Sequence, residues 1–314
     1  MTNTTGDGGA GKYALEAASG YSQAATAVEL PRAEPSGFGR FVRHTKRDPA
    51  TLTGLTIVCA LAAIAVLAPL VAPYGANENV GEMLAPPTFR HLFGTNVQGR
   101  DLFSRVILGS RNSLGVAFPS VFIAIIIGLP IGMLAGFVGG RFDSAFMRLF
   151  DILFALPTIL LAIALVAYLG PSTRNLVLTI AILYIPRVAM VARAPTLSVK
   201  TREYVYASRM FGARPTWILR KHILPNIAAP VLVEASLLLS TALLTEASLS
   251  FLGLGIQPPE PSWGADLGKG REFMELGAYQ VLFPGIMIML AVLGFNLLGD
   301  GLRDFFDPRI RKSV

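Results

Sequence analysis

Six stretches of the chain carry almost nothing but apolar residues, and polar segments separate them. They cover 51–73, 113–138, 149–169, 175–192, 228–253 and 279–298. The first two contain no charge. Asp151 stands near the start of the third, Arg187 near the end of the fourth, and Glu234 and Glu246 inside the fifth. Each stretch approaches or exceeds the roughly 20 residues that an α-helix needs to cross hydrocarbon. Backbone polar groups find no partners in lipid, so helix is the state these stretches must take. The pattern predicts an all-α membrane protein with six transmembrane helices.

Charge sets the orientation. With six crossings both termini lie on one side. Placing them in the cytosol puts Arg40, Arg43, Lys46, Arg47, Arg141, Arg148, the basic residues of 187–221 and those of the C-terminus inside. Only Arg90, Arg100, Arg105, Arg111, Arg174, Lys269 and Arg271 then lie outside. This bias is the positive-inside pattern. The expected organisation is a disordered cytosolic tail over 1–36, a basic juxtamembrane segment over 37–50 and a first span over 51–73. An extracytoplasmic segment follows over 74–112. A core over 113–314 holds spans two to six and a cytosolic loop over 193–227.

Composition agrees. The chain has 314 residues, 53% hydrophobic and 15% charged, with mean hydropathy +0.55. A soluble domain carries about a quarter charged residues. The net charge of +7 resides in segments flanking apolar runs, not in an aromatic-interleaved patch, so no nucleic-acid partner is expected. Cys59 is the single cysteine. It excludes an intrachain disulfide and a thiolate cluster. His44, His91 and His222 are far apart, so no metal site is expected. The tail contains "GDGGAGKY", a P-loop-like spacing with Tyr13 where Ser or Thr would hold magnesium. No strand is expected before it and no helix after it, so no nucleotide site is read there. No apolar run follows a charged start, so a signal peptide is not expected.

The loop between spans four and five reads "EYVYASRMFGARPTWILRKHILPN". A short helix fits 203–211, with Gly212 ending it. A second begins at Pro215, and Pro225 is expected to end it before the membrane. The loop is basic and amphipathic, which also suits a helix resting on anionic lipid. The segment resembles the E-A-A, three residues, G, nine residues, I-x-L-P loop of bacterial ATP-binding-cassette importer permeases. Ala207, Gly212, Leu224 and Pro225 match; Tyr206, Ser208 and His222 depart. "FGTNVQGRDLFSRVILGSRNSL" from Phe93, with Asn96 in place of Asp, "TEASLSFLGLGIQPPEPSWG" from Thr245 and "GDGLRDFFDPRIR" from Gly299 resemble segments of the C-type permease of dipeptide, oligopeptide and nickel importers. The likeness begins near residue 40.

The resemblance implies a pore subunit of an ATP-driven peptide importer in the bacterial cytoplasmic membrane, not itself an enzyme. Its implied partners are a second permease in a heterodimer, one or two ATP-binding subunits carrying ATP and magnesium, an extracytoplasmic solute-binding protein, a peptide substrate and membrane lipid. The cytosolic coupling loop would be carried by Glu203, Tyr204, Tyr206, Ala207, Ser208, Phe211, Gly212, Trp217, Leu224 and Pro225, with Met210 and Ile218 as further apolar anchors.

Glu234 and Glu246 are candidates for the pore or substrate path. They lie 12 residues apart, about 120° around a helix, so they do not share a face. For Glu246 a structural hydrogen bond is the favoured reading. Asp151 and Arg148 are spaced as an i, i+3 pair. Gly128, Gly132, Gly136 and Gly140 form a bare stripe, suited to close helix packing within the chain or against a partner. Arg100, Asp101 and Arg105 are expected to be exposed on the outer segment, and Trp263 to anchor at the membrane interface. The rival reading is an ATP-independent secondary transporter or channel. It predicts inverted repeats and paired midplane charges, which the sequence does not display. An intramembrane enzyme would need a nucleophile with its base, or a metal motif such as H-E-x-x-H, and neither occurs.

Overall fold

The structure, a computed structural model, describes Thr45 and residues 48–306. The tail 1–36 with its P-loop-like stretch, most of the juxtamembrane segment 37–50 and the end of the C-terminal motif from Asp307 lie outside the described residues. The described residues belong to one compact unit, His44–Val314.

The helices in chain order are α1 (Pro49–Val71), α2 (Leu102–Val138), α3 (Gly140–Phe154), α4 (Thr158–Leu169), α5 (Thr173–Val199), α6 (Glu203–Met210), α7 (Pro215–Ile218), α8 (Leu224–Phe251), α9 (Trp263–Glu272) and α10 (Tyr279–Phe306). Among the described residues, five segments are long and apolar enough to cross a membrane: α1, α2, α5, Pro215–Phe251 and α10. The third apolar stretch is not the single helix expected over 149–169. It is the pair α3 and α4, bent by 90°. Pro157 stands at the bend. It has no N–H to give the Leu153 carbonyl, and its ring would clash there in a continuous helix.

Packing fixes direction. A methyl group built on Gly128 would meet the Ile185 carbonyl at 2.6 Å, and one on Gly136 the Arg193 carbonyl at 2.9 Å; Gly132 abuts the Ala189 carbonyl. The glycine stripe is therefore intramolecular packing of α2 against α5, which run parallel. Gly140 is not part of it. With Gly139, it takes positive φ (59° and 74°) and turns the chain between α2 and α3. Arg187 and Tyr184 of α5 meet Glu234 and Thr245 of α8, so those helices are antiparallel. Ser240 donates to Asn296 Oδ1 at 2.8 Å, while Leu237 faces Gly299, making α8 and α10 antiparallel. Gly54 faces Leu297 and Gly301 faces Thr51, so α1 opposes α10. The start of α1 and the ends of α2, α5 and α10 thus share one end of the bundle with the 200–223 loop. Asp48 caps α1, accepting from Thr51 N–H at 2.9 Å, and Pro49 opens it.

The opposite end carries a cap, residues 72–101, folded onto α2, α9 and α10. Gly94 and Gly99 sit at φ +77° and +67°, values that favour glycine. Asn96 Oδ1 accepts from the backbone N–H of Gln98 (2.9 Å) and Arg100 (3.0 Å). An Asp side chain would accept the same two bonds, so this departure from the family pattern preserves the turn. Asp101 caps α2 through Ser104 N–H (2.8 Å) and also bonds His91 Nδ1 (2.9 Å).

Two expectations fail in this cap. Asp101 and Arg105 are each only 2% exposed, and Arg100 is partly buried. The Arg105 guanidinium bonds Asp266 Oδ1 through Nε (3.0 Å) and Nη2 (2.6 Å), and the Ala76 carbonyl through Nη1 (2.8 Å). Burial pushes the Asp266 carboxyl up from its ordinary value while Arg105 beside it pulls it down. Trp263 is fully buried, with its indole N–H donated to the Val106 carbonyl at 2.8 Å. It is a core residue rather than an interface anchor. Arg148 and Asp151 are both exposed and form no ion pair among the described residues.

Candidate functional site

The 200–223 loop is built by local rules. Glu203 opens α6 and is exposed in its first turn, where a carboxylate suits the helix dipole. Gly212 closes it at φ +77°. Its N–H donates to the Arg209 carbonyl (2.9 Å) and Ala213 N–H to the Ser208 carbonyl (3.0 Å). This pair of bonds is the Schellman arrangement, which places glycine one residue past the helix cap. Pro215 opens α7.

The second helical piece does not stop at Pro225. A π-helical turn, Leu219–Ile223, joins α7 to α8, and the helix runs on from Pro215 to Phe251. Pro225 removes one donor and crowds the carbonyl four residues back. The widened turn just upstream relieves both problems, so the loop is a rigid extension of the α8 span.

Each face of the loop has its own role. Val205, Ile218 and Ile223 are buried with Ala192, Val199 and Ile227 in a second core cluster. Ile218 is therefore an internal anchor and not the outward one expected. Outward lie Tyr204, Tyr206, Met210, Phe211 and Trp217, with Met210 88% and Phe211 91% exposed. Ala207 and Pro225 are also exposed, while Ser208 and Leu224 are half-buried. Single exposed apolar residues are ordinary, whereas Met210 and Phe211 are adjacent at the tip of a short helix.

Two of the motif departures answer each other. The Ser208 hydroxyl bonds the Tyr204 carbonyl (2.8 Å) and His222 Nε2 (3.0 Å). With the hydroxyl proton on the carbonyl, Nε2–H is the second donor. The His222 ring also packs against Tyr204 and Trp217, with centroids 5.4 and 5.1 Å away. Arg209 lies over the Phe137 ring at 4.8 Å, and Lys200 Nζ donates to the Gly136 carbonyl at 2.6 Å. Asp143 holds Arg193 with two bonds, 2.5 and 2.6 Å. The loop is thereby tied to α2, and through the second core cluster to α5 and α8, while α3 is tied to α5.

The two intramembrane carboxylates are separated. Glu234 pairs with Arg187 Nε at 2.5 Å. Glu246 is fully buried and accepts from Ser250 Oγ at 2.7 Å. Ser250 Oγ in turn accepts from Ile256 N–H at 3.2 Å, and the nearby Ser113 Oγ accepts from Trp263 N–H at 3.3 Å. Glu246 thus sits beneath the turn that folds 252–262 back onto the bundle. Sequence reasoning missed Val205 and Ile223 as internal anchors. For Ile223 the apolar spacing 218, 219, 223, 227 carried that signal, because it continues the helical period of α8 across Pro225.

A bundle of long apolar helices, with α2 and α5 parallel and α8, α10 and α1 antiparallel in turn, a bent helix pair and a helical loop at one end, suits a membrane permease. Residues 128–312 match the family described as binding-protein-dependent transport system inner membrane component, and residues 36–87 match the N-terminal TM domain of oligopeptide transport permease C. The chain belongs to this family of inner-membrane transport permeases.

It is 43% identical over 270 residues to the dipeptide transport system permease protein DppC of Alkalihalophilus pseudofirmus, covering 86% of this chain and 89% of that one. It is 42% identical over 287 residues to the di/tripeptide permease DppC of Pseudomonas aeruginosa (89% and 95% covered). To the glutathione transport system permease protein GsiD of Salmonella typhimurium it is 45% identical over 273 residues (86% and 90% covered). An inward-facing structure of the MetNI methionine ABC transporter shares the fold at TM-score 0.52 and 20% identity, covering 65% of this chain and 97% of that one.

Proposed function

We propose that this chain is one half of the pore of an ATP-driven peptide importer, with six crossings and both termini in the cytosol. The observation that carries the coupling role is the α6 tip, where Tyr206, Met210 and Phe211 point away from the bundle at the end shared with the start of α1. An apolar helix tip seated in a groove is a recurrent recognition mode, and the groove here belongs to a separate ATP-binding subunit that holds ATP and magnesium. Glu203, Tyr204, Tyr206, Ala207, Ser208, Phe211, Gly212 and Trp217 form the contact, while Leu224 and Pro225 join it to the α8 span. ATP-driven motion of that subunit tilts the loop. Because α7 continues into α8, the tilt passes to the span as a lever would transmit it. A second permease completes the pore, and the cap 72–101 receives a solute-binding protein. The names of the relatives support a small peptide as substrate. The carboxylates Glu234 and Glu246 serve as structural ties within the bundle.

The test is a mild-detergent purification of the tagged chain, with copurifying proteins identified and ATP hydrolysis assayed. A second permease together with one or two P-loop subunits is the expected result. A lone, ATP-indifferent oligomer would leave the channel or secondary-transporter reading instead.

A further inference from the structure

A groove of about 400 Å³ runs between the end of α2 and the 200–223 loop. Leu134, Phe137 and Val138 form its wall on α2, and Pro215, Ile218 and Leu219 form its wall on the helix that begins at Pro215. Phe137 and Ala213 pack on the second core cluster, so both walls are anchored to the bundle. Arg209 and Thr216 supply the polar side chains of the lining, and both are exposed.

The α2 wall is the end of a longer apolar surface. Ile127, Leu134 and Val138 are exposed and lie within about 40° of one another around the helix. Ile127 is about 16 Å from the Val138 end, well inside a hydrocarbon layer about 30 Å thick. Lipid tails are as apolar as such a stripe and cover it. The groove therefore opens to hydrocarbon along α2 and reaches the membrane surface at the loop.

The surface end is cationic. Arg209, Arg214, Arg220 and Lys221 are all exposed, and none forms an ion pair among the described residues. Arg209 stacks over the Phe137 ring at 4.8 Å. Stacking occupies the face of a guanidinium and leaves its N–H fork, which matches a phosphate. By the positive-inside bias this end faces the cytosol, where the leaflet is rich in anionic lipid. An occupant that suits both ends needs a long apolar part reaching along α2 and an anionic group at the surface. We infer that this groove binds one anionic phospholipid of the cytosolic leaflet, with an acyl chain against Leu134, Phe137 and Val138 and the phosphate on the Arg209 guanidinium. Thr216 offers a hydroxyl at the same rim. The bound lipid adds a brace between α2 and the loop. The inference rests on the cytosolic placement of the loop proposed above and is independent of the ATP-binding partner.

The test is native mass spectrometry of the purified full chain with whatever copurifies, titrated with phosphatidylglycerol, with phosphatidylcholine of the same acyl chains, and with glycerol phosphate. The parent is expected to retain phosphatidylglycerol about tenfold better than phosphatidylcholine, the weight of one charge-assisted contact, and to hold glycerol phosphate far more weakly. Arg209→Gln should bring the two lipids level. Thr216→Trp, which narrows the groove and leaves the charge, should lower retention of both. Arg148→Gln, at an exposed cation on α3 outside the groove lining, should keep the parent's preference. Equal retention of the two lipids by the parent overturns the inference, as does a preference that survives Arg209→Gln or is lost in Arg148→Gln. Glycerol phosphate held as tightly as the lipid would show a phosphate site without an acyl groove, and retention of neither lipid would leave the groove to a protein occupant; both outcomes also overturn it. Copurification of the ATP-binding subunit is scored on the same sample, so failure of the importer reading shows separately from failure of the lipid site.

Discussion

The two ends of this bundle solve opposite problems. At the cap end, long polar side chains turn inward: Arg105 on Asp266, Asp101 on His91 and Ser104, Trp263 on the Val106 carbonyl. Each buried donor named here has an acceptor from the same chain. At the loop end the large apolar side chains of Met210 and Phe211 turn outward. The difference teaches how to separate residues that hold the subunit together from residues that await another. A self-satisfied network stabilises the chain alone. An outward apolar tip on a firmly tied helix contributes only when something covers it.

That contrast is sharpest at Asp266. Asp266→Ala leaves the Arg105 guanidinium buried and unpaired, a loss of about 3–5 kcal/mol. The expected outcome is a large drop in thermal midpoint and yield of the purified chain. Asp266→Ala with an unchanged midpoint would show that the cap is not held by this pair.

Gly212→Val comes next. No atom lies within 4 Å of its built methyl position, so the cost is backbone alone, about 1–2 kcal/mol for leaving glycine's left-handed conformation and more for a β-branched side chain. Because the strain falls on the loop, the variant should insert and fold while retaining less ATPase on purification. Loss of both together would erase the distinction between the two ends. Ser208→Ala is the mildest. It removes one hydrogen bond to His222, worth about 1 kcal/mol, and should lower transport-coupled ATP hydrolysis while the melting midpoint of the chain barely moves.

How legible was this in the sequence? Five of the six apolar stretches were legible as long helices because a span is nearly continuous in its apolar character, and Gly212 was visible because its conformation excludes most other residues. The interruption of the third stretch at Pro157 was not read, since Pro130, Pro186 and Pro230 lie inside unbroken helices. Composition does not tell a tolerated proline from a breaking one. The same ambiguity hid the continuity across Pro225, where a π-turn upstream removes the clash. Arg105, Asp101 and Trp263 were misplaced for a different reason. Their burial depends on partners such as Asp266, 161 positions away from Arg105, and no local pattern encodes that meeting. Ser208 and His222 looked like two independent departures until the fold put them 3.0 Å apart.

The most direct test of the coupling claim replaces Phe211 with a photo-crosslinking phenylalanine analogue in the intact complex. The account predicts an adduct with the P-loop subunit, and none from the same analogue at Phe89, which is exposed on the cap. An adduct with lipid alone at Phe211 would contradict it and return the loop to the membrane surface.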